Sequence, residues 1–188
     1  MIIYYAHIMT EDNLCRWSMS SGLICSIPKT QLANGYSVIV FQHLTTRQRI
    51  QTAYWLLNIF QTDFKNQNIT TIPSCISFIL EHWKNGDSFY ILLDTDQFVA
   101  GGAAIDTKHN EPFISNIFTV PSARNKGFGR ILMRYCEDYS IKMGFKYAKL
   151  WCDEDLIQYY TKQGYIVEKK QLNSHGETVH IMTKRFIS

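Results

Sequence analysis

Apolar residues along this chain switch repeatedly between a period of two and a period of three to four, which predicts an alternation of strands and helices. Behind Gly35, the run Ser37-Val38-Ile39-Val40-Phe41 predicts a first core strand. Thr45 or Thr46 is placed to cap the next helix, whose apolar positions Ile50, Ala53, Tyr54, Leu57, Phe60 and Phe64 have helical spacing. Pro73 opens another helix, with Cys75, Ile76, Ile79, Leu80 and Trp83 on one face and Gly86 beyond its end. Strands over 88–94 and 97–107 form a hairpin, and a strand over 112–120 stops at Pro121. Residues 127–143 predict a helix with Ile131, Leu132, Tyr135, Tyr139 and Met143 turned inward, ended by Gly144. A strand over 147–152, a helix over 154–163 and strands over 165–172 and 178–187 complete the order. Ahead of all these, the pattern suggests a strand over 1–8 and a short helix over 11–20. The fold class this implies is α/β (α+β), a mixed sheet with helices packed on it.

Composition adds limits. A chain of 188 residues is expected to form one domain. At 46% hydrophobic it fills a sizeable core and is no disordered chain. The net charge of +3, with no long Lys/Arg tract, does not call for nucleic acid. Cys15, Cys25, Cys75, Cys136 and Cys152 are odd in number and widely spaced, without a C-x-x-C pair. They read as small buried hydrophobes in a reducing compartment, with no metal. The N-terminus lacks a basic leader, and Glu11-Asp12 follows soon after, so no signal peptide is expected. No apolar run approaches the roughly 20 residues of a membrane helix. A cytoplasmic protein with no membrane partner is the expectation.

The chemistry concentrates in Val120-Pro121-Ser122-Ala123-Arg124-Asn125-Lys126-Gly127-Phe128-Gly129-Arg130, a strand end, a basic glycine loop and a helix start. The first-turn N–H groups of a helix point outward, and its dipole puts roughly +0.5 charge there, which suits a phosphate. Gly127 and Gly129 let the backbone approach a ligand without a Cβ in the way. Arg124, Lys126 and Arg130 add full charges; the alternative is that they are solvated surface residues. Two glycines at a helix start also occur for backbone reasons alone. A dinucleotide fingerprint is excluded because the third glycine is absent, Leu132 standing there, and no nucleotide-triphosphate loop occurs.

Arg124 to Gly129 reads Arg-x-x-Gly-x-Gly and resembles the acetyl-CoA-binding motif of the Gcn5-related N-acetyltransferase superfamily. The hairpin Phe89 to Ile105, the strand Ala148 to Cys152, and Tyr160-Thr161-Lys162-Gln163-Gly164-Tyr165, a Tyr-x-x-x-Gly-aromatic sequence, extend the resemblance. It covers about residues 36–187. Residues 1–35 are left as an N-terminal extension, either a lid or wall over the acceptor site or an extra strand and helix enlarging the core. Residues 36–188 are the acetyltransferase-like domain.

By resemblance, the sheet is mixed and mostly antiparallel, flanked by helices, and strands 112–120 and 147–152 splay apart to hold acetyl-CoA. Backbone N–H groups of 125 to 130 would face the pyrophosphate, so Arg124, Asn125, Lys126, Gly127, Phe128, Gly129 and Arg130 are expected cofactor-binding residues. Phe118, Thr119 and Val120 would line the pantetheine arm through their backbone. Asp153 stands where many members carry an asparagine that bonds this arm; its charge beside Glu154 and Asp155 favours a helix N-terminus instead. Tyr160 would be the catalytic acid, because a phenol, at about 10, stays protonated where a thiol near 8.5 does not. Tyr159 points about 100° away and is not expected to share that role. Phe113 stands where members often have a glutamate base. Asp106, His109 and Glu111 are alternatives, each equally readable as a solvated turn residue.

The expected activity is direct acetyl transfer to a primary amine of a small molecule, with no covalent enzyme intermediate and no nucleic-acid partner. The alternatives are an acyl-CoA-binding sensor or scaffold without catalysis, and a protein or peptide N-acetyltransferase. The resemblance also allows a homodimer.

Overall fold

A computed structural model describes residues 30–32, 34–82, 89–107, 110–173 and 176–186. The expected strand over 1–8 and helix over 11–20, with Cys15, Cys25, Trp83, Gly86 and His109, lie outside the described residues. Eight strands form one sheet in the order β1-β2-β3-β4-β5-β6-β8-β7. They are β1 (Thr30–Gln31), β2 (Ser37–Val40), β3 (Phe89–Leu93), β4 (Val99–Asp106), β5 (Phe113–Thr119), β6 (Tyr147–Cys152), β7 (Ile166–Leu172) and β8 (Thr178–Arg185). The described residues also form five α-helices: α1 (Thr46–Ile59), α2 (Gln61–Asn66), α3 (Ile72–His82), α4 (Phe128–Lys142) and α5 (Ile157–Thr161).

Neighbouring strands are antiparallel except β5 and β6, which the α4 crossover makes parallel. That pair is joined only at Phe113↔Lys149 and Ile114↔Leu150. Beyond this rung the strands part, and the sheet carries a gap. A β-bulge accompanies the parting. Gly102 faces Phe118 and Ala104 faces Ser115, so Asn116 and Ile117 together oppose Ala103. Asn116 takes φ +48°, a left-handed conformation that asparagine tolerates better than most residues. Bulges bend the strand that carries them.

Side chains alternate across a sheet, so cross-strand partners show which face each residue joins. Lys184, opposite Ala148, reaches Glu137 of α4 at 2.8 Å. Ala148, Leu150 and Cys152 therefore face α4. Tyr147, Lys149 and Trp151 face the other way, as does Asp106, which contacts His82 of α3. Helices α4 and α5 occupy one side of the sheet; α1 and α3 occupy the other. Between them lies a core of Phe89, Ile91, Leu92, Ile105, Ile114, Leu132, Met133, Leu150 and their neighbours.

Local chemistry explains the helix starts. Thr45 caps α1 in a reciprocal box: the Gln48 amide donates to Thr45 Oγ1 (3.3 Å) and the Thr45 amide donates to Gln48 Oε1 (3.0 Å). Thr71 and Ser74 do the same before α3. The inward face of α1 differs from expectation. Ile50 and Tyr54 are 43% and 52% exposed, while Gln48, Thr52, Ala53 and Leu56 are buried. The cause is polar: Gln48 Nε2 donates to the Gln97 carbonyl, and Gln51 Oε1 accepts from the Val99 amide. These bonds tie α1 to the start of β4 and fix its rotation. The helix also stops at Ile59, so Phe64 belongs to α2. Leu80 and Met143, expected inside, are exposed, and Gly144 follows two residues beyond the end of α4. The helix expected over 154–163 is a 3-10 turn, Glu154–Leu156, followed by α5.

Candidate active site

Carboxyl ends of parallel strands and the first turn of the helix between them make a ligand crevice in open sheets. Here that place is where β5 ends, the loop turns, and α4 begins. Pro121–Ala123 form a 3-10 turn, and Asn125 and Gly127 both take positive φ, +61° and +78°. Left-handed residues within such a turn bring backbone N–H groups to one side. Among the described residues, the amides of Asn125, Lys126, Gly127, Phe128 and Gly129 donate no backbone hydrogen bond. The Arg130 amide does, to the Gly127 carbonyl at 3.1 Å, so the expected row of free amides ends one residue earlier, at Gly129. A Cβ placed on Gly127 would meet nothing within 4 Å, so this side of the loop is open. A cavity of about 240 Å³ is lined by Thr119, Ala123, Arg124, Asn125, Gly127, Phe128, Gly129 and Tyr159.

Each basic side chain has a neighbour. Arg124 Nε donates to the Thr119 carbonyl at 3.4 Å. Lys126 Nζ lies 3.3 Å from Tyr36 Oη, and the Tyr36 ring packs on Phe128 with centroids 4.3 Å apart. Arg130 lies close enough to Tyr159 to pull its pKa down, although burial pushes that phenol up on balance. Of the three residues expected along the pantetheine arm, Phe118 and Val120 have buried side chains. The Val120 amide donates to the Ala100 carbonyl and its own carbonyl accepts from Ala123, so neither backbone group of Val120 is spare as a donor or unbonded acceptor. Gly101 and Gly102 keep β5 close: added Cβ atoms would sit 2.7 Å from the Phe118 carbonyl oxygen and 2.7 Å from its ring.

Tyr160 and Tyr159 divide the space behind the loop. Tyr160 is fully buried, and its Oη has no hydrogen-bond partner. Burial pushes its pKa well above the ordinary phenol value, with Tyr159, Cys152 and Asp153 adding to the shift. It thus lies by the end of β6, at the edge of the gap. Asp153, directly after β6, has its carboxyl raised by burial first and by Asp155 and Glu177 second. Tyr159, by contrast, reaches the loop: its Oη would stand 2.6 Å from a Cβ on Gly129. Sequence reasoning set Tyr159 aside as the acid and gave it no place at the loop, because it shows only as one of two adjacent tyrosines.

Glu111, Glu168 and Asp106 lie on the α1/α3 side and are engaged. Lys149 Nζ donates to Glu111 Oε1 at 2.9 Å and lies 3.6 Å from Glu168, which also accepts from Thr183 Oγ1. Asp106 Oδ2 is 3.5 Å from His82 Nε2. The sheet brings Phe113 and Trp151 together beside these groups, ring centroids 5.3 Å apart. No group of three or more His, Cys, Asp or Glu able to hold a metal occurs among the described residues. Nor is any described helix long and apolar enough to cross a membrane.

Residues 54–165 match a family model described as the acetyltransferase (GNAT) family. Solved structures share the fold at low identity. Ard1 from Thermoplasma volcanium is 17% identical over 82% of this chain and 99% of its own, with a TM-score of 0.62. Arabidopsis thaliana Naa50, in complex with the bisubstrate analogue CoA-Ac-MVNAL, is 15% identical over 81% and 99%, with a TM-score of 0.61. An acetyltransferase of the GNAT family from Staphylococcus aureus MU50 is 14% identical over 81% and 99%, with a TM-score of 0.59. A comparison with curated protein sequences found no match.

Proposed function

The chain belongs to the acetyltransferase (GNAT) family, and on that footing we propose that it transfers the acetyl group of acetyl-CoA to a primary amine of a small molecule. One observation carries this reading. Five consecutive amides without backbone partners, Asn125 to Gly129, stand at the head of α4, beside the gap between β5 and β6. Such a row suits a diphosphate, and the gap beside it suits an extended arm. Arg124, Lys126 and Arg130 surround the row with positive charge. Phe118 and Thr119 would border the arm on the β5 side and Asp153 on the β6 side. The solved Naa50 complex carries a CoA-peptide analogue, which supports CoA as the ligand type.

Acetyl-CoA would supply an acyl group activated as a thioester. The chain would supply the proton for the departing sulfur. Tyr160 Oη is suited to this because burial keeps it protonated at every working pH and leaves it without a competing acceptor. An acyl-enzyme route through any cysteine among the described residues is disfavoured. Burial pushes the Cys75 and Cys152 thiols up to about 12, and Cys136 is also raised well above its ordinary value, whereas a cysteine nucleophile needs its thiolate.

Thiol release from acetyl-CoA, with a panel of polyamines, amino sugars, aminoglycosides and peptides, tests the proposal in the wild type and in Tyr160→Phe. Turnover with a small amine, falling roughly 10²-fold or more in the variant, is expected. Turnover only with peptides moves the acceptor to a protein amine. Calorimetric binding of acetyl-CoA without turnover of any amine makes the chain a CoA-binding sensor.

A further inference from the structure

An amine attacks a thioester only as the free base, so the proposed reaction needs a group that takes a proton from the acceptor's ammonium. The two faces of the sheet limit where that group stands. The diphosphate cradle lies at the head of α4, on the α4/α5 face. An acceptor meeting the same gap without crossing the cofactor must come from the α1/α3 face. His180, buried and without a partner for either nitrogen, stands opposite Cys152 and so faces α4. Tyr160 is held protonated beside Cys152.

The last β5–β6 rung is Ile114↔Leu150, whose side chains face α4, and Trp151 is the first β6 residue past it, on the acceptor face. The Phe113 ring meets Trp151 edge-on. Phe113 is in register with Asp106 of β4, which puts their Cβ atoms about 5 Å apart. Above Asp106 sits His82, the last residue of α3, with its ring stacked on Phe78 at 4.9 Å and Nε2 3.5 Å from Asp106 Oδ2. A carboxylate, an imidazole and an aromatic floor therefore lie together, next to where the gap opens.

We propose that the His82–Asp106 pair is the general base for the acceptor amine, a role that rests on the acetyl-transfer reading above. Asp106 Oδ2, 3.5 Å from Nε2, would take the Nε2–H of the neutral ring and so fix its tautomer and orientation. Glu111 and Glu168, also on this face, serve less well because both share Lys149. Protons and electrons balance. The ammonium N–H bond breaks, its proton joins the imidazole, and the freed pair forms the new N–C bond. The C–S pair leaves with sulfur, which takes the Tyr160 proton. The nitrogen's second proton restores Tyr160, and the imidazolium releases its own to solvent.

The test compares wild type, His82→Gln and Asp106→Asn at pH 7, with Glu111→Gln as control. Thiol release is followed with the best alkylamine of the panel and with hydroxylamine, a nucleophile already neutral at that pH. His82→Gln is expected to lose 10²-fold or more in kcat with the alkylamine and far less with hydroxylamine. Its calorimetric affinity for acetyl-CoA should match the wild type. Nitrogen NMR of the ring should show the Nε2–H tautomer of His82, lost in Asp106→Asn. An unchanged alkylamine rate in His82→Gln, equal losses with both nucleophiles, or a tautomer indifferent to Asp106→Asn would overturn the assignment. A wild type that binds no acetyl-CoA sinks the proposed function instead, and this inference with it.

Discussion

Gly129 carries a second constraint besides its place in the loop, and a double substitution isolates it. A Cβ at this position would lie 2.6 Å from Tyr159 Oη but 3.8 Å from Cζ. The first distance is a clash and the second an ordinary contact, so the hydroxyl alone stands in the way. Two terms of opposite sign then act on Gly129→Ala. Replacing glycine in a helix gains about 0.5–1 kcal/mol through the unfolded chain. Forcing an extra carbon into a packed place costs about 1–3 kcal/mol. In the wild-type background the substitution is therefore expected to destabilise, and in a Tyr159→Phe background to be neutral or stabilising. Urea and thermal unfolding of the four proteins measure the coupling. A coupling near 2 kcal/mol appears as a difference in Tm of roughly 4–8 °C for a chain of this size. Equal cost of Gly129→Ala in both backgrounds would refute the packing argument and place the loop's need for glycine elsewhere.

Other outcomes follow from burial. Iodoacetamide at pH 8 should leave Cys75, Cys136 and Cys152 unlabelled in the native protein and label them on unfolding, because burial raises all three thiols; labelling at a free-thiol rate by peptide mass spectrometry would contradict the core packing. Alkaline stability is set in part by Tyr160 and Tyr165, whose pKa values burial pushes well above the ordinary phenol value, Glu137 adding to the shift at Tyr165. Above about pH 10 the unfolded chain loses these protons and the folded chain keeps them, so stability is present below that pH and falls as pH rises. Urea midpoints over pH 8–11 should decline, less steeply in Tyr160→Phe; an identical slope would sink the assignment.

Much of this molecule was legible in the order of its residues. The central strands, the crossover helix and the glycine loop carry strong short-range signals: β-rich apolar runs, a 3.6-residue period, a proline stop, glycine at positive φ. Tyr160 stood out only because its Tyr-x-x-x-Gly-aromatic sequence resembles the family's. What stayed hidden depended on partners far away in the chain. The buried face of α1 is set by Gln48 and Gln51 bonding to β4 some fifty residues on, which no hydrophobic period records. Glu111 looked like a free acid until the β5–β6 pairing brought Lys149 to it. His82 and Asp106 meet only because α3 packs across the face of the sheet that β4 presents. Local sequence determined which backbone segments become strand, helix and glycine loop, since those choices rest on dihedral preference and near-neighbour burial. Tertiary structure alone decided which side chains share the gap, because that follows from strand register, the bulge at Asn116 and the separation of β5 from β6.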